Sequence, residues 1–287
     1  AVGRPPARHA AAHAGVRRLR WEWRSLPGRG GRGSPVSSLL RGYSAPVKVD
    51  LPYNGGELVL LAAHDSDPVC RWDAAQTLFL RAILGEAERG RSGAVFALSP
   101  ALVNVVRALL ADRASDAALL ALALRPPRLS LLADQQTPID IEALHRVRRA
   151  TMAALAGELA VEFERAYAGH RTTGAYSAEP AQVAQRSMKN VCLAYLAARD
   201  DAASHTLALA QFDGADNMSD SIAALAALKA TSAKARHVAI ARCGSRCRDK
   251  PMVRDQGLAL TATPSRARRL DAGRSMLSHP TYVAQYP

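Results

Sequence analysis

Four proline pairs constrain this chain more than any other feature. Asp67-Pro68, Ser99-Pro100, Thr137-Pro138 and Glu179-Pro180 each head a segment whose apolar residues recur at three- and four-residue spacing. Proline suits the first turn of a helix and disrupts its interior, so each pair predicts a helix start and forbids a helix running through it. Asp67 also offers a carboxylate to the free N–H groups of that start.

The segments behind these pairs have the stripes of core-facing helices. Trp72, Ala75, Leu78, Phe79 and Ala82 line one, and Val103, Val106, Leu109 and Leu110 the next. Asp116 to Leu124 forms a short helix stopped by Pro126-Pro127. The longest is expected over about 139–168, with Ile141, Leu144, Val147, Met152, Leu155 and Leu159 inward. Val183, Met188, Val191, Leu193 and Leu196 mark another, and a further helix covers about 200–212. Asn217 or Ser219 caps one carrying Ile222, Leu225 and Leu228, and helical patterning also follows Gly55-Gly56. At least seven helices joined by short loops predict stacked antiparallel hairpins. No fixed period recurs, so the expected fold is mainly α, an irregular α-solenoid-like superhelix. A short extended segment, Tyr43 to Leu51, precedes it, with Pro46 favouring an edge position.

Charge separates the ends from the middle. The net charge is +13 over 287 residues. Residues 1–42 hold nine Arg against one Glu, and residues 229–287 hold twelve Lys or Arg against three Asp. The patterned middle, 43–228, has seventeen bases against twenty-one acids. A nucleic-acid surface normally decorates a folded domain, and here the basic excess avoids one, which disfavours that partner. Residues 1–34 are low-complexity and rich in Arg, Gly, Ala and Pro, and are expected to be disordered; poor order is likewise expected after about 230. Neither a secretory apolar core nor a bilayer-length apolar run occurs, so no membrane partner is expected. Cys70, Cys192, Cys243 and Cys247 are scattered through the chain, which predicts reduced thiols and a cytoplasmic setting.

Several words of the sequence resemble the alanyl aminopeptidases (aminopeptidase N) of bacteria. They are Leu39-Leu40-Arg41-Gly42-Tyr43-Ser44-Ala45-Pro46-Val47, His64-Asp65-Ser66-Asp67-Pro68 and Arg71-Trp72-Asp73-Ala74-Ala75-Gln76. Arg186-Ser187-Met188-Lys189-Asn190-Val191-Cys192-Leu193-Ala194-Tyr195-Leu196 and Ala215-Asp216-Asn217-Met218-Ser219-Asp220 add to them. The resemblance implies the junction between a small β-sandwich and the C-terminal helical domain of a zinc peptidase. It divides the chain into a basic leader 1–34, the last sandwich strand 35–54, the helical domain 55–230 and a degraded or truncated continuation 231–287. The leader, which lacks sandwich-like strands, is expected to come from a reading frame not selected for folding.

The family's zinc motif is His-Glu-x-x-His, and a Gly-Ala-Met-Glu-Asn strand holds the substrate amine. Neither occurs here, so no catalytic, cofactor-binding or metal residue is assigned, and zinc belongs to the parent enzyme alone. His9 and His13 have the spacing of a zinc pair, but Ala10 stands where the glutamate must be. His64-Asp65-Ser66-Asp67 reads as a helix cap rather than a metal cluster. Cys243 and Cys247 lack a second pair, and Trp21 and Trp23 lack a folded platform for stacking on bases. Arg146, Arg148, Arg149, Lys189 and Asn190 read as solvated helix faces.

The function expected is a non-catalytic helical fragment of an aminopeptidase, inactive alone, whose partner is the catalytic domain. Peptide substrates belong only to the intact enzyme. Two other readings stand behind it: a helical-repeat scaffold for a protein partner, and a basic nucleic-acid-binding protein.

Overall fold

The structure is a computed structural model that describes residues 36–43, 51–172, 174–229 and 274. The chain divides into two units, Ala1–Leu39 and Leu40–Pro287. Of the first, only residues 36–39 are described, and they lack regular secondary structure. The second contains ten α-helices among its described residues, and no strand.

A 3-10 turn, Arg41–Tyr43, opens the second unit. Tyr43, expected to begin the extended segment, ends this turn instead, and residues 44–50 of that segment lie outside the described ones. Asn54 then caps α1 (Gly55–His64) in a reciprocal box with Glu57. Asp67 caps α2 (Pro68–Arg91), accepting from the N–H groups of Val69 and Cys70. Ser99 caps α3 (Pro100–Ala111), and Asp116 caps α4 (Ala117–Leu124). A short α5 (Leu129–Ala133), which the sequence pattern did not announce, precedes α6 (Ile141–Glu158), capped by Asp140. Then come α7 (Ala160–Gly169), α8 (Pro180–Ala198), α9 (Ala202–Gly214) and α10 (Met218–Lys229). Asn217 is the cap of α10, accepting from the Asp220 N–H at 2.9 Å.

The single helix expected over 139–168 starts later and is two: Asp140 heads α6, and Pro138 of the Thr137-Pro138 pair lies outside the helix rather than in its first turn. Leu159 leaves helical geometry at φ −116°, ψ 31°, two residues after Gly157, and the chain kinks there. Leu155, Ala156, Leu159, Phe163 and Ala166 are all buried, so the apolar stripe continues across the break.

Helix pairs build the stack. α1 lies on α2, α3 on α4, α7 on α8 and α9 on α10. One row runs α1, α3, α7, and the other α2, α4, α8, α10. This is the nearest-neighbour logic of a helical repeat. α6 stands apart from the pairing and packs across α2 and α8. One large core runs through the stack, with Phe79, Leu109, Leu124, Phe163 and Tyr195 among its members. A smaller core of Ile83, Ala87, Leu132, Leu144 and Val147 sits under α5 and α6. The Phe163 and Tyr195 rings stack at 4.5 Å between centroids and join α7 to α8. Two residues expected inside are exposed: Ile141 at 50 % and Val183 at 43 %. Each lies in the first turn of its helix. No helix among the described residues is long and apolar enough to cross a membrane.

Candidate functional site

α8 is buried on nearly every side, so its polar side chains need partners inside the protein. Lys189 is only 7 % exposed, and its Nζ donates to Asp220 Oδ2 at 2.6 Å. Asn190 Nδ2 donates to Asp220 Oδ1 at 2.9 Å, and Asn217 Nδ2 to Oδ2 at 3.0 Å. Gln211 of α9 donates to Asn190 Oδ1 at 2.8 Å and to the Asp220 carbonyl at 3.1 Å. Tyr167 of α7 closes the set by donating to Gln211 Oε1 at 3.0 Å. Four helices thus meet at one satisfied polar cluster. Lys189 and Asn190 are not the solvated face expected from sequence, because the carboxylate that holds them lies 31 and 30 residues away.

A second buried cation serves the other end of the stack. Arg71 of α2 donates through Nε to the Ala62 carbonyl (3.0 Å), through Nη1 to Ser115 Oγ (2.6 Å) and through Nη2 to Asp112 Oδ2 (2.8 Å). Burial pushes the Asp112 carboxyl up. Hydrogen bonds from Ser115, Arg71 and the backbone N–H groups of Ala114 and Ser115 outweigh it and hold the group well below the usual carboxylate range.

Arg148 also departs from expectation. It donates to the carbonyls of Pro127 at 2.8 Å and Pro126 at 3.4 Å, satisfying a proline-bounded turn, while Arg146 and Arg149 are exposed. Tyr195 OH donates to the Leu124 carbonyl at 2.7 Å at the end of α4.

The His64–Asp67 word is the cap it was read as, and it does more. Arg41 Nη1 donates to Asp65 Oδ1 at 2.8 Å, and Nη2 to Ser66 Oγ at 2.6 Å. The Gly42 N–H donates to Asp67 Oδ2 at 2.8 Å. Two of the family-like words therefore touch, and the segment entering the helical stack is fastened to the α1–α2 turn.

These clusters hold helices together and present no nucleophile with a base. Burial pushes the Cys192 thiol up to about 12, which makes it unreactive at neutral pH. Cys70 is also buried. Among the described residues, no three His, Cys, Asp or Glu side chains are grouped to hold a metal ion, so they do not fit a zinc site. His9, His13, Trp21, Trp23, Cys243 and Cys247 lie outside the described residues. A shallow hollow bounded by Arg91 and residues 138–142 has no convergent polar set; its Asp140 is engaged in capping α6.

The geometry above has relatives. Residues 56–287 match the family model described as "Domain of unknown function (DUF3458_C) ARM repeats". Aminopeptidase N of Escherichia coli is 32 % identical over 253 residues, covering 88 % of this chain and 29 % of that protein. Aminopeptidase N of Caulobacter vibrioides is 29 % identical over 270 residues, covering 92 % of this chain and 30 % of that protein. The crystal structure of Legionella pneumophila aminopeptidase A in complex with aspartic acid is similar at a TM-score of 0.74 and 26 % identity. It is matched over 87 % of this chain and 30 % of that one. The chain thus spans less than a third of the length of these relatives. Its paired helices and its sequence place the chain in the DUF3458_C ARM-repeat family, as a segment of the C-terminal helical domain of aminopeptidase N.

Proposed function

We propose that this chain is the helical wall of an aminopeptidase and supplies none of its reacting groups. In this reading it encloses the space in which a zinc-bearing catalytic domain removes N-terminal residues from peptides. The observation that carries the reading is the match itself: nearly the whole chain corresponds to under a third of each aminopeptidase relative. The missing His-Glu-x-x-His and Gly-Ala-Met-Glu-Asn words support it. So does the use of every described buried ion pair to join helices.

The reading includes the division at 34, 54 and 230, the catalytic domain as partner, zinc in that partner, and a bacterial cytoplasmic location. The test is direct. Purified chain, given an alanine-type chromogenic substrate and added zinc, should show no turnover. Turnover abolished by a chelator would overturn the proposal.

A further inference from the structure

Three cations are buried among the described residues, and they are not treated alike. Arg71 has the Asp112 carboxylate at 2.8 Å and Lys189 has that of Asp220 at 2.6 Å. Arg186 is 5 % exposed, and no carboxylate of the described residues lies within ion-pair distance of it. Its one hydrogen bond among the described residues runs from Nη1 to Gln182 Oε1 at 3.0 Å. Its guanidinium carbon lies 4.9 Å from the centre of the Tyr176 ring. A guanidinium carries five N–H donors, and burying one without an anion is costly.

The surroundings are held ready. Gln182 Oε1 also accepts from the Ser177 N–H at 3.0 Å, and its Nε2 donates to the Ala175 carbonyl at 3.3 Å. One side chain thus pins both the arginine and the loop that lays Tyr176 over it. Tyr176 is 56 % exposed, and Val183 stands out one turn before Arg186. An aromatic, an aliphatic and an arginine, fixed in advance, are the makings of an interface anchor.

We propose that this corner receives an Asp or Glu side chain from the part of the aminopeptidase outside the segment this chain matches. Charge complementarity selects the occupant, since among the described residues no carboxylate reaches the corner. The other two buried cations show what completes such a site in this fold. The inference rests on the reading of the chain as an aminopeptidase wall.

Thermal unfolding of the full chain in sodium acetate, against sodium chloride at equal pH and ionic strength, tests the corner. The wild-type Tm should rise with acetate as a ligand of the folded state. Arg186→Met should melt at or above the wild type in chloride and ignore acetate. Tyr176→Ala, on an exposed loop, should fold normally and respond less. Equal responses from all three, no response from the wild type, or an Arg186→Met chain that melts well below the wild type or fails to fold would each overturn it. Mixed with a separately produced zinc-bearing domain, Arg186→Met should bind at least tenfold more weakly than the wild type; equal binding would assign acetate to an adventitious ion only. Peptidase turnover by the chain alone would defeat the wall reading without moving the acetate result, so the two failures are distinguishable.

Discussion

Between the first helix pairs the buried cation is an arginine whose carboxylate belongs to a loop; between the last it is a lysine whose carboxylate belongs to a helix. Asp112, just past α3, accepts from Ser115 Oγ and from the N–H groups of Ala114 and Ser115, at 2.7, 2.8 and 3.0 Å. Three donors from two neighbours thus satisfy it before Arg71 arrives, and Arg71 has two other acceptors of its own. Among the described residues, Lys189 has Asp220 alone. The first seam spreads its polar demand over many local groups, whereas the last concentrates it on one long-range carboxylate. A seam of the second kind fixes the register of its helices sharply and fails abruptly.

The sharpest attack on this contrast is Asp220→Ala. It strands the Lys189 ammonium in the core and removes the acceptor of Asn190 and Asn217, and it should cost about 3–5 kcal/mol. Lys189→Met leaves Asp220 with two amide donors and should cost distinctly less. Urea unfolding of both variants decides the matter: equal losses would show that the carboxylate is not the keystone.

Arg71→Met comes next, at about 2–3 kcal/mol for charge-assisted hydrogen bonds lost at one guanidinium. It also carries a pH signature. The folded Asp112 carboxyl gives up its proton more readily than the unfolded one, so the unfolded chain binds more protons in acid. Stability from this group is complete above the ordinary aspartate range and declines as pH falls below about 5. In Arg71→Met the decline should be shallower, because one of the hydrogen bonds that lower the group is gone. An unchanged acid limb would mean that Ser115 and the backbone N–H groups do all the work.

The same contrast explains what was legible in the sequence. Asp67 and Ser99, with the prolines after them, and Asp116 alone act on their own next turn, so those helix starts could be read directly; Thr137-Pro138 misled, because Asp140 caps the helix beyond it. The first seam's turn at Asp112–Ser115 is equally local, but its tie to Arg71 spans 41 residues. Lys189-Asn190 looked like a solvated face because nothing nearby in sequence reveals Asp220. The clue was the company they keep: Met188, Val191, Cys192, Leu193 and Tyr195 leave α8 no free side, and polar residues in such a helix must be paired. The kink at Leu159 left no sign, since no proline marks it and the apolar stripe runs through. Ile141 and Val183 misled because they sit in first turns, ahead of the helix's packing partner. The candidate interface at Arg186 was invisible for another reason: it is defined by a cation that no described carboxylate meets, and sequence alone cannot show which acids lie beside it.

Tyr195→Phe probes the junction between the seams. It removes the hydroxyl bonded to the Leu124 carbonyl and keeps the ring stacked on Phe163. The carbonyl left behind is deeply placed, so the loss should be about 1–2 kcal/mol in thermal or urea unfolding. A neutral result would mean that α4 ends with its last carbonyls satisfied by other means, and that the two seams are less rigidly joined than the geometry implies.

The smallest effect belongs outside the core, and it tests whether burial is what makes the seams matter. Arg107 of α3 reaches Glu162 of α7 at 3.4 Å, an ion pair between neighbours in one row of the stack, but both side chains are substantially exposed. Water already solvates each charge well, and holding the long arginine costs conformational freedom. Glu162→Gln should therefore shift stability by no more than about 0.5 kcal/mol, with most of that disappearing at high salt. The pair joins helices as distant in sequence as the buried ones do, at 55 residues' separation. If its loss rivalled that of Arg71, long-range bridging and not desolvation would be the source of the seams' strength. If it is nearly silent, the cost of stranding Lys189 follows from the dry site around it, and so does the argument that Arg186 awaits an anion.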